Sequence, residues 1–145
     1  MHAESTARTS WQGTLARGSG TTSLASGATT PLKVSWGART ERTADATSPE
    51  ELIAAAHASC YAMAFAHELA EAGARPENLD VSVTVAFEEV DGAPTITRSA
   101  LTVRGGVGGI DAARFAELAA AAKEGCPVSR ALKGNVEITL DAALA

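Results

Sequence analysis

The chain has 145 residues, of which 46% are hydrophobic and 20% are charged, and this composition is typical of one globular domain spanning residues 1–145. Its formal net charge of -5, without a cluster of lysines and arginines, argues against nucleic acid or an anionic membrane as a partner. Because no run of about 18 apolar residues occurs, we expect no membrane-spanning helix.

The N-terminal segment and the cysteines bear on the compartment. Residues 1–10 are polar and lack the apolar core of a signal peptide, which predicts a cytoplasmic protein. We expect residues 1–9 to form a flexible tail. In the cytoplasm a pair of cysteines seldom forms a structural disulfide, and more often provides free thiols, metal ligands or a catalytic pair. Cys60 and Cys126 are therefore the first candidates for a functional site.

Three short alternating segments come next in the chain. Residues 11–15, 21–26 and 32–36 alternate apolar with polar side chains and are separated by glycines, which predicts a three-stranded antiparallel meander. Its two tryptophans, Trp11 and Trp36, are expected to anchor the core. A polar loop follows at residues 39–47.

A long helix is predicted after this loop. Ser48 and Glu51 have the spacing of a capping box, the following residues are rich in alanine, and Gly73 supplies a stop. Cys60 lies near the middle, with His57 three residues earlier on the same face. On position alone, Cys60 could equally be a small buried hydrophobe, as free cysteines commonly are.

The second half of the chain predicts a β-hairpin, two helices and a last strand, which gives an α+β pattern and not a regular βαβ series. The hairpin signal combines strict period-two alternation with an Asp-Gly turn. The expected elements are strands 79–87 and 96–104, a loose glycine-rich link at 105–109, a helix from Asp111 to Gly125, a short helix with Cys126 at its cap, and strand 136–140.

Two segments carry cysteine motifs that together are specific. They are SPEELIAAAHASCY at residues 48–61 and AKEGCPVS at residues 122–129. Both resemble the OsmC/Ohr family of thiol-dependent organic hydroperoxide reductases, and the CPVS sequence resembles its OsmC branch. The N-terminal Trp11-x-Gly13 and the closing residues 137–141 extend the resemblance over nearly the whole chain. It implies an OsmC-like α+β fold in an intertwined homodimer.

The resemblance also implies an activity and a role for each site residue. The enzyme would be a peroxidase in which Cys60 attacks an organic hydroperoxide and becomes a sulfenic acid, and Cys126 then forms a disulfide with it. An external dithiol, such as a lipoylated protein, would reduce this disulfide. Arg39, held by Glu50, would activate Cys60, with Arg42 as the alternative arginine. No metal, flavin or haem cofactor is implied.

Helix geometry agrees with the implied need for a cation and a second chain. Cys60 lies too far into the helix for the dipole to stabilise its thiolate, because dipole effects fade within the first turn. Glu50 and Cys60 are about 15 Å apart along the axis at ~1.5 Å per residue. In a homodimer, antiparallel helices that cross near residues 54–56 would bring Glu50 of one chain level with Cys60 of the other.

Two other readings stay open. His57, Cys60 and Cys126 could form part of a metal site, although a full set of four ligands is missing. The same cysteines could serve a peroxide sensor or interaction module that is oxidised without turnover. His57 and His67 are otherwise expected to be satisfied core residues. The expected lining of the substrate pocket is Leu52, Ile53, Met63 and Phe65.

Overall fold

The computed structural model describes all residues from 1 to 145, and their contacts fall into two compact units, residues 1–52 and 53–145. Whether residues 1–145 act as one domain stays a prediction. The first unit contains β1 (Ala7–Gln12), β2 (Ser19–Leu24), β3 (Leu32–Val34), α1 (Trp36–Thr40) and the start of α2 (Pro49–Glu71). The second unit contains the rest of α2 followed by β4 (Arg75–Val90), β5 (Ala93–Gly108), α3 (Ala112–Gly125), α4 (Pro127–Leu132) and β6 (Glu137–Leu144).

The first unit contains the expected antiparallel meander, in the order β1-β2-β3. Its strand β1 begins at Ala7, so the expectation of a flexible tail through residue 9 is wrong for residues 7–9, which pair with β2. Trp11 is 41% exposed and is no core anchor, because it lies on β1, whose residues are all exposed.

Strand β3 ends two residues earlier than expected, because a helix begins there. The Ser35 hydroxyl accepts a hydrogen bond from the Ala38 backbone N–H at 3.0 Å and caps α1. Trp36 and Arg39 therefore lie on a short helix, where a strand end and a loop were expected. The backbone of Arg39 is therefore helical.

The long helix predicted from the sequence is present as α2. At its start only one of the two hydrogen bonds of the predicted capping box is formed. The Ser48 hydroxyl accepts from the Glu51 backbone N–H at 3.1 Å. The Glu51 carboxylate does not return to Ser48 in the reciprocal bond; it accepts from the Thr47 hydroxyl at 2.6 Å. At the other end Gly73 has a φ of +72°, the left-handed conformation of a helix C-terminus.

The second unit is built on a mixed sheet in the order β4-β5-β6. β4 and β5 form the predicted antiparallel hairpin, and β6 pairs parallel to β5 after the crossover through α3 and α4. The expected loose link at residues 105–109 is wrong, because residues 105–108 are the end of β5. A Cβ at Gly105 would lie 2.8 Å from Leu79 Cδ2, so glycine allows the two strands to approach closely there.

The core of the second unit fixes the middle of α2. Phe65 meets Phe115 of α3 edge to face at 5.0 Å between ring centroids, and the Tyr61 hydroxyl donates to the Ala119 carbonyl at 2.9 Å. Phe65 is fully buried in this core, so its expected place in a substrate pocket is wrong. None of the helices combines the length and the apolar character needed to cross a membrane.

Candidate active site

The second unit brings the two cysteines together, as the resemblance implies. Cys60 is half-buried on α2, whereas Cys126 is fully buried at the residue that precedes α4, and both are free thiols. Cys60 packs against the buried cluster that contains Cys126, and Gly125 and Pro127 on either side of Cys126 line the same pocket as Cys60. A disulfide between the two cysteines would therefore join neighbouring segments of one unit.

The surroundings of Cys60 in this unit disfavour its thiolate. Burial raises the pKa of Cys60 above its ordinary value, and the neighbouring Cys126 raises it further. One influence acts the other way, since the Val128 backbone N–H donates to the sulfur and lowers this pKa. The thiolate is the reactive form of cysteine, so burial and Cys126 together disfavour the reactive form of Cys60.

The first unit contains an arginine that a buried carboxylate holds. Arg39 Nε donates to both Glu50 carboxylate oxygens, at 2.9 and 3.1 Å, and its terminal nitrogen donates to Oε1 at 2.7 Å. The guanidinium also lies over the Trp36 ring, 5.9 Å from the centroid. Glu50 is buried, and its partner is Arg39, whereas Arg42 lines a separate small cavity with residues that include Ser48.

His57 is the buried polar centre of the second unit. Its Nδ1 lies 2.7 Å from the Ser99 hydroxyl and its Nε2 lies 2.7 Å from the Ser129 hydroxyl. This confirms the expectation of a satisfied core histidine. Both ring nitrogens of His57 are engaged in these contacts, so neither is free to bind a metal, which argues against the metal-site hypothesis. Ser129 lies in the CPVS motif, but no sequence signal identified Ser99 on β5.

The buried position of His57 predicts that the free energy of unfolding depends on pH. Burial lowers the pKa of His57 below its ordinary value of 6.5, so the folded protein binds this proton more weakly than the unfolded chain. The free energy of unfolding should therefore decline as the pH falls through about 6.5, and the loss is complete below the lowered folded-state pKa. Urea unfolding between about pH 5 and pH 8 checks this. The His57→Gln variant has no titratable group at this position. If the difference in free energy of unfolding between the wild-type protein and this variant is the same at every pH, the assignment is wrong.

A pocket of about 410 Å³ lies beside Cys60. Its lining is Cys60, Met63, Ala64, His67, Glu68, Gly125 and Pro127. Of the expected lining residues only Met63 is present, because Phe65 is in the core and Leu52 and Ile53 lie earlier on α2. His67 is exposed at this pocket, so the expectation that it is a core residue is wrong. The volume falls in the range of about 300–1,000 Å³ typical of small-molecule sites.

The chain is similar in sequence and in fold to proteins of one family. The family model described as "OsmC-like protein" matches residues 42–141. The Escherichia coli protein named peroxiredoxin OsmC is 44% identical over 131 residues, which are 90% of each chain. The crystal structure of the organic hydroperoxide resistance protein OhrB of Bacillus subtilis has a TM-score of 0.74 at 28% identity, covering 94% of this chain and 97% of that one.

A second solved structure agrees in fold alone. An organic hydroperoxide resistance protein from Elizabethkingia anophelis has a TM-score of 0.78 at 20% identity, with all of both chains covered. The matches confirm the α+β OsmC-like fold and the predicted resemblance to the OsmC/Ohr family. On this evidence of sequence and fold, the chain belongs to the OsmC/Ohr family.

Proposed function

We propose that this protein is a peroxidase that reduces organic hydroperoxides to alcohols at the expense of thiols. The observation that carries the proposal is that two free cysteines pack in one cluster and that one of them, Cys60, opens onto a pocket of about 410 Å³. Relatives named as a peroxiredoxin and as an organic hydroperoxide resistance protein support the same reaction class. The apolar part of the lining, with Met63 and Pro127, suits an alkyl group better than water.

In the first step, the Cys60 thiolate attacks the terminal oxygen of the hydroperoxide. A sulfur–oxygen bond forms, the oxygen–oxygen bond breaks, and the alkoxide leaves and takes up a proton as alcohol. Sulfur is thereby oxidised to a sulfenic acid. The guanidinium of Arg39 would stabilise the thiolate before attack and the negative charge that develops on the peroxide.

In the second step, the Cys126 sulfur attacks the Cys60 sulfenic acid. The sulfur–sulfur bond forms, the sulfur–oxygen bond breaks, and hydroxide leaves with the thiol proton as water. An external dithiol then regenerates both thiols by two exchange steps and becomes a disulfide itself. A lipoyl-type dithiol, free or on a protein, is the proposed reductant, and the cytoplasm the proposed compartment. No cofactor takes part.

We infer that the complete site requires two chains. Glu50, which holds Arg39, precedes Cys60 by ten residues on the continuous helix α2, or about 15 Å at ~1.5 Å per residue. In a homodimer with antiparallel α2 helices, the Arg39–Glu50 pair of one chain would lie level with Cys60 of its partner. The exposed alanines at residues 55 and 56 permit close contact between such helices.

A steady-state assay tests the activity. With tert-butyl hydroperoxide and reduced lipoamide, the protein should consume many equivalents of peroxide per chain, and it should prefer this substrate to hydrogen peroxide. The matched control is Cys60→Ser, which should consume none. If the wild-type protein is oxidised once and then stops while reduced lipoamide is still in excess, it is a sensor and the proposed enzyme is wrong.

The Cys126→Ser variant tests the proposed role of Cys126. Cys126→Ser should still consume one equivalent of alkyl hydroperoxide, because Cys60 is intact, but it should lose lipoamide-dependent turnover. Further peroxide should oxidise its Cys60 to sulfinic acid, since no thiol is present to trap the sulfenic acid. Mass spectrometry measures both products. A wild-type protein that shows no Cys60–Cys126 linkage after peroxide treatment would rule out the two-cysteine cycle.

A further inference from the structure

Helix α4, which follows Cys126, is held in part by a buried polar contact. It has six residues, far fewer than the ~12–15 that an isolated helix needs to be stable in water, so its position depends on tertiary contacts. Ser129 is the only residue within its bounds that is buried. The Ser129 hydroxyl lies 2.7 Å from Nε2 of His57, which is itself fully buried. Val128 also packs, partly buried, against the core, so the Ser129 contact adds a polar anchor to an apolar one.

The spacing of these residues makes the contact relevant to the two sulfurs. His57 precedes Cys60 by three residues on α2, and Ser129 follows Cys126 by three residues, so each pair lies on one face of its segment. The contact between imidazole and hydroxyl therefore joins the two segments that carry Cys60 and Cys126, and these two cysteines pack in one cluster. In the proposed cycle a disulfide would join the same two segments covalently.

The other ring nitrogen fixes the imidazole to the sheet. Nδ1 lies 2.7 Å from the hydroxyl of Ser99, a fully buried residue of β5. A neutral imidazole has one donor and one acceptor nitrogen, and each serine hydroxyl can take either role, so both contacts are satisfied together. The imidazole is therefore held from both sides, and it holds Ser129 at a defined distance from α2.

We propose that His57 is a positioning residue for disulfide formation, acting through Ser129 to keep the Cys126 thiol within reach of the Cys60 sulfenic acid. This role rests on the proposed two-cysteine cycle. In that step the Cys126–Cys60 sulfur bond forms as the sulfur–oxygen bond breaks, and water leaves. Attack on peroxide requires Cys60 and its cation but not Cys126, so the contact affects the second step and spares the first.

Two amide variants separate the two contacts of the ring. The amide of glutamine reaches the position of Nε2, so His57→Gln can keep the bond to Ser129. The shorter asparagine reaches only the position of Nδ1, so His57→Asn keeps the bond to Ser99. We expect His57→Asn to form the disulfide about 10- to 100-fold more slowly than the wild-type protein, and His57→Gln to remain within about threefold. Both variants should consume the first equivalent of peroxide at the wild-type rate.

The measurement is rapid acid quenching after one equivalent of tert-butyl hydroperoxide, followed by mass spectrometry of the sulfenic acid and of the disulfide. Ser129→Ala should reproduce the slow second step of His57→Asn. Ser99→Ala, which keeps the bond between His57 and Ser129, is the matched control and should follow His57→Gln. Thermal unfolding of each variant identifies any that does not fold. If the His57 variants do not fold, the comparison of Ser129→Ala with Ser99→Ala still tests the positioning role.

The outcomes separate the two proposals. If Ser129→Ala and His57→Asn fold but form the disulfide at the wild-type rate, His57 is merely structural and the positioning role is wrong. Equal slowing by Ser99→Ala and Ser129→Ala would also contradict it, because the contact to α4 would then have no special importance. If the wild-type protein consumes no peroxide, the proposed function fails, and the positioning role fails with it.

Discussion

Replacing Arg39 by lysine should lower kcat/KM for an alkyl hydroperoxide by about 100-fold or more, because lysine keeps the charge but lacks the planar fork. Arg39 donates three hydrogen bonds to Glu50, and a point charge cannot hold the same carboxylate in that way while facing a peroxide. A steady-state assay with tert-butyl hydroperoxide and reduced lipoamide measures the loss. Full turnover by Arg39→Lys would overturn the assignment.

Arg42→Lys is the matched control for this experiment, because it makes the same chemical change three residues away. Glu50 is bonded to Arg39, so we expect the Arg42 variant to retain nearly all of the activity. A large loss in Arg42→Lys with little loss in Arg39→Lys would assign the activating role to Arg42.

Titration of the Cys60 thiolate by its ultraviolet absorbance gives an independent measure of the same role. Burial alone raises the pKa of Cys60, whereas a guanidinium near the sulfur would lower it. The pKa should therefore be lower in the wild-type protein than in Arg39→Lys. A Cys126→Ser background removes the second thiol from the titration, and equal pKa values in the two proteins would show that Arg39 does not act on this sulfur.

Local signals in the sequence were sufficient for the elements that carry the cysteines. The cap at Ser48 and the stop at Gly73 are short-range features, and they define helix α2 as observed. Asp111 caps α3 through its bond to the Arg114 N–H, again a contact within one turn. Helices specified by contacts of this kind are predictable from sequence, because the partners are three or four residues apart.

Elements that depend on distant partners were missed or misplaced. The parallel pairing of β6 with β5 joins Ser99 to Ile138, and no local pattern distinguishes it from antiparallel pairing. Gly105 predicts a loose link because glycine is usual in loops, whereas in the structure it allows close approach of β4. Within the site, the motifs predicted Cys60 and Cys126, but the Ser99 contact to His57 spans 42 residues and carries no signal.

Mixing two inactive variants should restore activity if the site is shared between two chains. Arg39→Lys keeps Cys60 and Cys126, while Cys60→Ser keeps Arg39, and each homodimer lacks one component in both of its sites. A mixed dimer would contain one complete site, formed by Arg39 of the Cys60→Ser chain and Cys60 of the Arg39→Lys chain. Random exchange of equal amounts makes half of the dimers mixed, so about a quarter of the wild-type activity should return.

The measurement requires that the chains exchange, so the two variants are unfolded together in urea, refolded and assayed against the same proteins refolded apart. Two variants with the same defect, Cys60→Ser and Cys60→Ala, are the matched control and should regain nothing. Sedimentation at the assay concentration establishes whether dimers are present. If each chain contained its own complete site, the mixture would show only the sum of the two residual activities, and a fully active dilute monomer would contradict the shared site as well. The expected recovery follows from the proposed pairing of Arg39 and Glu50 of one chain with Cys60 of the other.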